Sequence, residues 1–358
     1  MSRPRIIAFY LPQYYPTVEN DEWWGKGFTE WTNVGNAKPL FKGHYQPRVP
    51  ADLGYYDLRI PEVREQQALL AQDAGIEGFC YWHYWFSGRR LLDRVFSEVV
   101  ESGKPDFPFC LCWANHSWYQ KTWNPNKPNK LLIEQDYPGI QDYIDHFYAM
   151  LPAFRDKRYM RVNGKLIFGF FAPWDFPELD LFIDTWNRLA EENKLKGFYF
   201  WGYALKKNQY SNYLSQGLDG IVFENILTPE NHNIAKKIFI QTKRRILGIP
   251  HLTEYDEYVR AVMASYEVSE QIHPCIDPNF DHSPRSGNKG IILINSTPKK
   301  WGDLCYNIFR TVSTRAPENN LVFIKAWNEW GEGNYLEPDL KYGKQYLFEL
   351  RKAIDKIH

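Results

Sequence analysis

The stretch Gly78-Phe-Cys-Tyr-Trp-His-Tyr-Trp85 is apolar at almost every position along the part that would form a strand. A strand with one face in water would instead alternate between apolar and polar residues. A nearly continuous apolar run predicts a strand that is buried on both faces, as the strands of a parallel sheet are. The fold therefore depends on whether such runs recur and on what separates them.

Seven further runs of this kind occur, and longer amphipathic segments separate them. The predicted strands cover residues 5–11, 78–85, 107–114, 165–171, 197–203, 220–224, 272–277 and 321–327. The predicted helices cover residues 61–74, 90–102, 140–151, 178–193, 209–215, 255–266, 301–314 and 342–357. This alternation predicts an α/β fold, a (β/α)₈ TIM barrel that forms a single catalytic domain over residues 1–358.

A doubly wound open sheet is the alternative fold. It would be favoured by a glycine-rich phosphate-binding turn after the first strand, but the chain there reads Pro12-Gln-Tyr-Tyr-Pro16. Two long loops, residues 12–60 and 227–254, follow the first and sixth predicted strands. Both lie at the end of a barrel where enzymes have their active sites, so we expect both loops to have a functional role.

Composition narrows the class of partner. The chain carries 43 basic and 43 acidic residues, so it has no net positive charge that would attract nucleic acid or an anionic membrane. No apolar stretch is long enough to span a bilayer. Aromatic residues make up 17% of the chain, and their flat apolar faces suit the C–H face of a sugar ring. The alternative interpretation is that these aromatic residues fill a large core; the first interpretation predicts an oligosaccharide or polysaccharide substrate.

Cysteine usage and the first residues bear on the compartment. The five cysteines form no CxxC pair, which indicates reduced, buried thiols and a cytoplasmic protein. The first apolar run is too short for the core of a signal peptide, although the location would be periplasmic if a signal peptide had been removed. The sequence gives no indication of the oligomeric state.

Polar side chains follow the predicted strands at the ends that a barrel would bring together. Such groups must be solvated or paired, and their recurrence on one face predicts a pocket. The candidate substrate-binding residues at these ends are Tyr10, Gln13, His83, Tyr84, Trp113, Asn115, His116, Glu224, Asp277, Asn328 and Trp330.

The candidate catalytic residues are Glu329 and Glu332, in the segment Ala326-Trp-Asn-Glu-Trp-Gly-Glu-Gly333. Glycoside cleavage needs one acid for the leaving oxygen and a second carboxylate that activates a nucleophile or supports the developing cation. Aromatic walls and mutual repulsion would separate their pKa values, so that one stays protonated near neutral pH. The alternative interpretation is a turn with two solvated glutamates.

Other chemistries have weaker support in the sequence. His83, His116 and Asp277 could act as metal ligands, but their spacing in the sequence matches no metal-binding motif. We therefore expect neither a metal nor a cofactor. No GxSxG motif of a serine hydrolase occurs.

Several segments together resemble the WbsX family of polysaccharide-locus proteins. They are Ile7-Ala-Phe-Tyr-Leu-Pro-Gln-Tyr14, residues 23–34, residues 78–86, residues 109–116, Trp327-Asn-Glu-Trp-Gly-Glu-Gly333 and Leu336-Glu-Pro338. The resemblance runs from about residue 5 to residue 350 and adds Trp31 to the candidate substrate-binding residues.

The resemblance implies two activities. The WbsX family is labelled as glycosyltransferases of O-antigen or capsule assembly, and it is also similar to glycoside hydrolase family 99, whose endo-α-mannosidases and endo-α-mannanases are retaining (β/α)₈ enzymes. By that similarity Glu329 would be the base toward the sugar's 2-hydroxyl and Glu332 the acid for the leaving group. Gly331 departs from the hydrolases, which often carry a larger residue such as His there, and this puts the substrate identity in doubt.

Three functions remain open at this point. The first is a retaining glycoside hydrolase acting on an α-mannoside-like or related bacterial glycan. The second is a glycosyltransferase that uses an activated donor, although no DxD motif is present and Asp142-Tyr-Ile-Asp145 has the wrong spacing. The third is a barrel that binds glycans without catalysis.

Overall fold

The structure is a computed structural model that describes residues 2–120, 129–225, 234–266 and 269–357. Eight parallel strands form the barrel: β1 Arg5–Tyr10, β2 Gly78–His83, β3 Phe109–Trp113, β4 Lys165–Phe170, β5 Phe198–Ala204, β6 Gly220–Glu224, β7 Ile272–Ile276 and β8 Leu321–Ile324. A ninth, two-residue strand of the same sheet, Arg161–Val162, pairs antiparallel with β4. Each barrel strand pairs in parallel with the strands before and after it, and β8 pairs with β1, so the sheet closes. The predicted (β/α)₈ barrel is confirmed.

The helices run α1 Val18–Trp24, α2 Glu30–Asn36, α3 Pro61–Asp73, α4 Arg94–Ser102, α5 Ile140–Arg155, α6 Leu179–Glu192, α7 Tyr210–Ser215, α8 Ile234–Leu247, α9 Tyr255–Ser265, α10 Ser283–Ser286, α11 Pro298–Val312 and α12 Gln345–Asp355. Eight of them match the predicted helices to within four residues at each end. Helices α1, α2, α8 and α10 were not predicted from the sequence: α1, α2 and α10 have only seven, seven and four residues, and α8 lies in a segment that was assigned to a long loop.

Aromatic side chains fill the interior of the barrel. Phe9 stacks on Trp82 with ring centroids 4.7 Å apart, and Trp201 packs against Phe323 at 5.0 Å. These rings are buried and belong to four different strands or their ends. The interior is therefore a packed core, and the open space lies above it, at the carboxyl ends of the strands.

The two long loops carry structure of their own. The loop after β1 holds α1 and α2, and Thr17 begins α1 by accepting a hydrogen bond from the backbone N–H of Asn20 at 3.1 Å. The second predicted loop contains α8 and the strand His251–Glu254, which pairs in parallel with Ile291–Ile294. Residues 226–233 of that loop lie outside the described residues.

Among the described helices, none combines the length and apolarity needed to cross a bilayer. All five cysteines are buried and none is in a disulfide.

Candidate active site

A cavity of about 650 Å³ opens at the carboxyl ends of the barrel strands. One end of it is charged and holds the two candidate catalytic glutamates. The other end is aromatic. The principal lining residues are Gln13, Trp23, Trp24, Phe28, Glu30, Trp82, Tyr84, His116, Trp118, Tyr119, Phe171, His282, Arg285, Lys325, Glu329 and Glu332. A cavity of this size exceeds what one sugar ring needs.

A tight hairpin presents the two glutamates to this cavity. The strand Asn328–Glu329 pairs antiparallel with Asn334–Tyr335, and the turn between them carries Glu332. Gly333 adopts a positive φ of 63°, and a Cβ there would lie 2.8 Å from the Cβ of Asp281. The turn thus requires glycine both for its backbone conformation and for its close approach to the loop after β7.

Arg285 joins the two glutamates. Its Nη1 lies 2.5 Å from Glu332 Oε1 and its Nη2 lies 3.2 Å from Glu329 Oε2. Its third nitrogen, Nε, donates to Glu30 Oε2 at 3.1 Å, and Gln13 Nε2 donates to the other oxygen of Glu30 at 3.2 Å. One guanidinium therefore holds three carboxyl groups at the charged end of the cavity.

The two glutamates differ in their affinity for a proton. Burial raises the pKa of Glu329 to about 7, and the nearby Glu332 adds to the rise while Arg285 opposes it. Burial would raise the pKa of Glu332 as well, but Lys325 and Arg285 outweigh it and hold this pKa at about 2. In the ligand-free protein the pair therefore carries its proton on Glu329 below about pH 7 and keeps Glu332 ionised.

Lys325 connects Glu332 to a second, deeper carboxyl pair. Its Nζ lies 3.8 Å from Glu332 Oε2 and 3.6 Å from Glu224 Oε2. Glu224 and Asp277 are buried below the cavity, where desolvation raises both pKa values, that of Asp277 to about 6. Tyr258 donates a hydrogen bond to Asp277 Oδ2 at 2.8 Å. This lower pair thus holds the lysine in place beneath Glu332.

Glu337 supports the hairpin from behind. Its carboxylate accepts hydrogen bonds from Trp330 Nε1 at 2.5 Å, from Gln67 Nε2 at 2.6 Å and from the Tyr56 hydroxyl at 2.8 Å. Burial raises its pKa to about 7 in spite of these donors. Three elements are thus tied to one buried carboxyl group next to the segment that carries Glu329 and Glu332.

Comparison with known proteins shows the family to which the chain belongs. The family model described as Glycosyltransferase WbsX matches residues 6–350. The chain is also 33% identical over 361 residues to the uncharacterized protein WxcX of two Xanthomonas campestris strains, a match that covers 98% of this chain and 50% of each relative.

This chain belongs to the WbsX family. It spans about half the length of the curated relatives that it matches. Two solved structures share its fold. A glycoside hydrolase-like protein is 14% identical with a TM-score of 0.61, over 99% of this chain and 94% of the other. The GH99 endo-alpha-mannosidase from Bacteroides thetaiotaomicron is 15% identical with a TM-score of 0.58, over 99% and 97% of the two chains.

Five residues singled out from the sequence lie together on the cavity wall of this WbsX-family chain. They are Gln13, Tyr84, His116, Glu329 and Glu332. Each follows a barrel strand or lies in the loop after one, as the barrel fold requires. Their roles in binding and catalysis stay a proposal.

Tyr10 and Trp31, which we expected to contact the substrate, do not line the cavity. Tyr10 is buried on the outward side of β1, where its hydroxyl donates to Gln67 Oε1 at 2.7 Å. Trp31 donates from its indole nitrogen to the carbonyl oxygen of Tyr56 at 2.7 Å and packs against Tyr14. Alternate residues of a strand point to opposite faces, so Tyr10 faces the helix layer.

His83 and Trp113 are likewise buried between the barrel and its helices. His83 Nε2 lies 2.8 Å from His146 Nε2, and burial lowers the pKa of His83 to about 3. Trp113 donates from its indole nitrogen to the carbonyl oxygen of Trp85 at 3.1 Å. Both side chains pack in the core and neither reaches the substrate space.

The polar residues Asn115 and Asn328 bind backbone instead of lining the cavity. Asn115 accepts from the N–H of Ala172 at 2.8 Å and donates to its carbonyl at 2.9 Å. Asn328 makes the same pair of bonds with Leu11, at 2.7 and 3.1 Å. Each ties together the ends of neighbouring strands, so their effect on the site is indirect.

Trp330, Glu224 and Asp277 also lie behind the wall. Trp330 is fully buried and stacks on Tyr335 with ring centroids 3.7 Å apart. Glu224 and Asp277 act on the cavity through Lys325, as described above. None of these three residues lines the cavity.

Several cavity residues were not predicted from the sequence. Arg285 follows β7 in a stretch with no motif, and Lys325 stood inside a predicted strand. Glu30 belongs to the segment that carried the family resemblance, which was the available signal for it. Within the described part of the chain, no three His, Cys, Asp or Glu side chains are grouped so as to hold a metal ion.

Proposed function

We propose that this chain is a retaining glycoside hydrolase that acts on an α-mannoside-like or related bacterial glycan, with Glu329 and Glu332 as its reacting carboxyl groups. The observation that carries the proposal is the convergence of these two glutamates on one cavity at the open end of the barrel. The family to which the chain belongs and two solved structures that share its fold are described as carbohydrate-active enzymes.

The proposed chemistry uses the sugar's own 2-hydroxyl. Glu329 removes the 2-hydroxyl proton, and the 2-oxygen attacks the anomeric carbon. The bond to the leaving oxygen breaks as Glu332 gives that oxygen a proton. Water then opens the three-membered ring, with its proton passing to Glu332 while Glu329 returns a proton to the 2-oxygen. The anomeric carbon is inverted twice, so its configuration is retained.

Charge at the reacting end supports a neutral glycan as substrate. Five carboxyl groups, from Glu30, Glu224, Asp277, Glu329 and Glu332, surround the cations of Arg285 and Lys325. Both cations are already paired with carboxyl groups of the protein, so neither is free to bind a pyrophosphate. A developing positive charge on a sugar ring, by contrast, would be stabilised by a carboxyl group that is ionised at that moment.

The aromatic end of the cavity supports further sugar binding. Trp118 packs edge-on against Tyr84 and Trp23, with ring centroids 5.0 and 6.0 Å apart. Trp24 is 44% exposed and Tyr119 is 50% exposed, so ring faces remain available at this end. Such faces suit the apolar side of sugar rings that extend from the reacting residue.

A glycosyltransferase is the second candidate, because the family that matches the chain is described as one. It would share the barrel and the cavity but pass the sugar from an activated donor to an acceptor other than water. A third outcome, binding without catalysis, would leave the glutamates without a chemical role.

Activity against a panel of α-mannan oligosaccharides and bacterial polysaccharides tests the proposal, with new reducing ends and the anomer of the first product as the readouts. We expect hydrolysis with retention, and a loss of kcat of about 10²-fold or more in Glu329→Gln and in Glu332→Gln. Glu192→Gln, an exposed surface change, should keep full activity.

Thermal-shift screening with nucleotide sugars separates the alternatives. Stabilisation by a nucleotide sugar, together with no hydrolysis across the panel, would refute the hydrolase and favour the transferase. Glycan binding that survives both Gln substitutions, with neither activity present, would leave the binding barrel.

A further inference from the structure

Arg285 is the most heavily engaged cation in the cavity. Each of its three guanidinium nitrogens faces a different carboxyl group, those of Glu30, Glu329 and Glu332. Its side chain is 22% exposed and the three partners are between 7% and 18% exposed. Ion pairs this far from water are weakly screened, so this arginine acts strongly on both glutamates.

Gly331 makes this position possible. A Cβ at residue 331 would lie 2.4 Å from Glu30 Oε2 and 2.9 Å from Arg285 Nε. The backbone conformation of Gly331 is not left-handed, so space rather than φ demands glycine here. Glu30 and Arg285 therefore fill the volume that a side chain between the two reacting glutamates would need.

The charges around the two glutamates are unequal. Glu332 faces three cationic or titratable groups, Arg285 at 2.5 Å, Lys325 at 3.8 Å and His282 at 3.9 Å. Glu329 has Arg285 at 3.2 Å, is also acted on by Lys325, and lies near the carboxyl groups of Glu30 and Glu332. Among the described residues, the hydroxyls of Tyr14 and Tyr84 also face Glu329, and the deeper carboxyl of Glu224 faces Glu332, while Asp277 acts through Lys325.

We propose that Arg285 is a positioning residue that acts with Lys325 to set how the two glutamates share a proton. Seated by Glu30 in the space beside Gly331, it keeps Glu332 ionised and leaves the proton on Glu329. The inference deepens the proposed function and rests on it, since the order of protonation matters to a reaction only if these glutamates carry it out.

The consequence concerns which glutamate starts as the acid. While Arg285 is paired with both glutamates, the proton is on Glu329 and Glu332 is ionised. The proposed 2-hydroxyl mechanism needs the reverse, an ionised Glu329 as the base and a protonated Glu332 as the acid. Glu332 can take up the proton that it gives to the leaving oxygen only if substrate binding weakens its ion pair with Arg285. Binding of the leaving-group sugar and the ion pair with Arg285 therefore oppose each other at Glu332.

Titration of the two carboxyl groups in the free protein tests this, using ¹³C-glutamate labelling with Glu329→Gln and Glu332→Gln to assign the signals. We expect the signal of Glu332 to stay ionised into strong acid in the unaltered chain. In Arg285→Met it should titrate about 1 to 3 pH units higher, because its nearest cation is gone. Arg285→Lys, which keeps the positive charge, should retain most of the lowering of the Glu332 pKa.

The matched control is Arg351→Met, which removes an exposed arginine from a surface ion pair with Asp355. It should leave both titrations unchanged. Gly331→Ala should move Glu332 in the same direction as Arg285→Met by pushing the guanidinium away, and circular dichroism confirms that each variant is folded. If Arg285→Met leaves Glu332 unmoved, or if Arg285→Lys moves it as far as Met does, the inference fails.

A second readout connects the titration to catalysis. Removing a cation raises the pKa of every carboxyl group near it. The acidic and basic limbs of the plot of kcat/KM against pH should therefore both move to higher pH in Arg285→Met. Titrations that shift as expected in a chain with no hydrolytic activity would refute the proposed function and leave this inference standing.

Discussion

At the scale of single residues, the site depends on side chains that never touch the cavity. Glu337 gathers hydrogen bonds from Trp330, Gln67 and Tyr56, which belong to the hairpin, to α3 and to the long loop after β1. A buried donor that loses its acceptor costs about 1–3 kcal/mol, whereas an exposed ion pair contributes little. Residues of this kind hold the reacting groups in position.

Glu337→Ala should therefore destabilise the protein strongly. Three buried donors would lose their acceptor, and we expect the free energy of unfolding to fall by about 3 kcal/mol or more. Urea unfolding followed by tryptophan fluorescence measures the change. Glu192→Ala, which removes an exposed i,i+4 ion pair, should cost less than about 0.5 kcal/mol. Equal effects of the two substitutions would contradict the account.

At the scale of elements, one pair of strands shows how the barrel interior is shaped. Gly169 of β4 lies directly beside Trp201 of β5 in the parallel register. A Cβ on Gly169 would lie 2.1 Å from the indole ring of Trp201. The glycine therefore provides the space in which the largest side chain of β5 turns inward to meet Phe9 and Phe323.

Gly169→Ala should weaken the β4–β5 contact by overpacking. We expect the free energy of unfolding to fall by about 1–3 kcal/mol, because the indole has no open space to move into. Urea unfolding measures the loss. The matched control is Gly35→Ala in α2, where a Cβ meets nothing within 4 Å, and it should be neutral or stabilising by up to about 1 kcal/mol. The double variant Gly169→Ala with Trp201→Phe should lose less than the sum of its parts.

At the scale of the whole molecule, charge is balanced and aromatic area is high. The 43 basic and 43 acidic residues give the chain no net field at neutral pH. The cavity adds carboxyl groups at one end and aromatic faces at the other. If the proposed function holds, a neutral glycan would be attracted through contact surface rather than through long-range electrostatics.

Glycan binding should therefore be almost independent of salt. We expect the Kd of a neutral oligosaccharide for Glu329→Gln, a variant expected not to turn it over, to change less than about twofold between about 0.05 M and about 0.5 M NaCl. Isothermal titration calorimetry measures it. A steep loss of affinity with salt would contradict this prediction and point to an anionic ligand such as a nucleotide sugar.

Much of the fold could be predicted from single segments. The eight apolar runs and the amphipathic segments between them determine strands and helices through local periodicity, and their alternation selects the barrel. Glu329 and Glu332 could be singled out because two carboxyl groups three residues apart follow the last strand, next to Trp327 and Trp330. These features depend on neighbours in sequence, which is why the sequence by itself determined them.

Tertiary structure alone decided which polar side chains face the cavity. Asn115 and Asn328 look like ligand-binding residues in the sequence, yet the fold uses them to join strand ends. Arg285 carries no motif, and it meets Glu30 only because the loops after β1 and β7 close over the same end of the barrel. A guanidinium that joins residues 255 positions apart is a product of long-range packing, which no local pattern encodes.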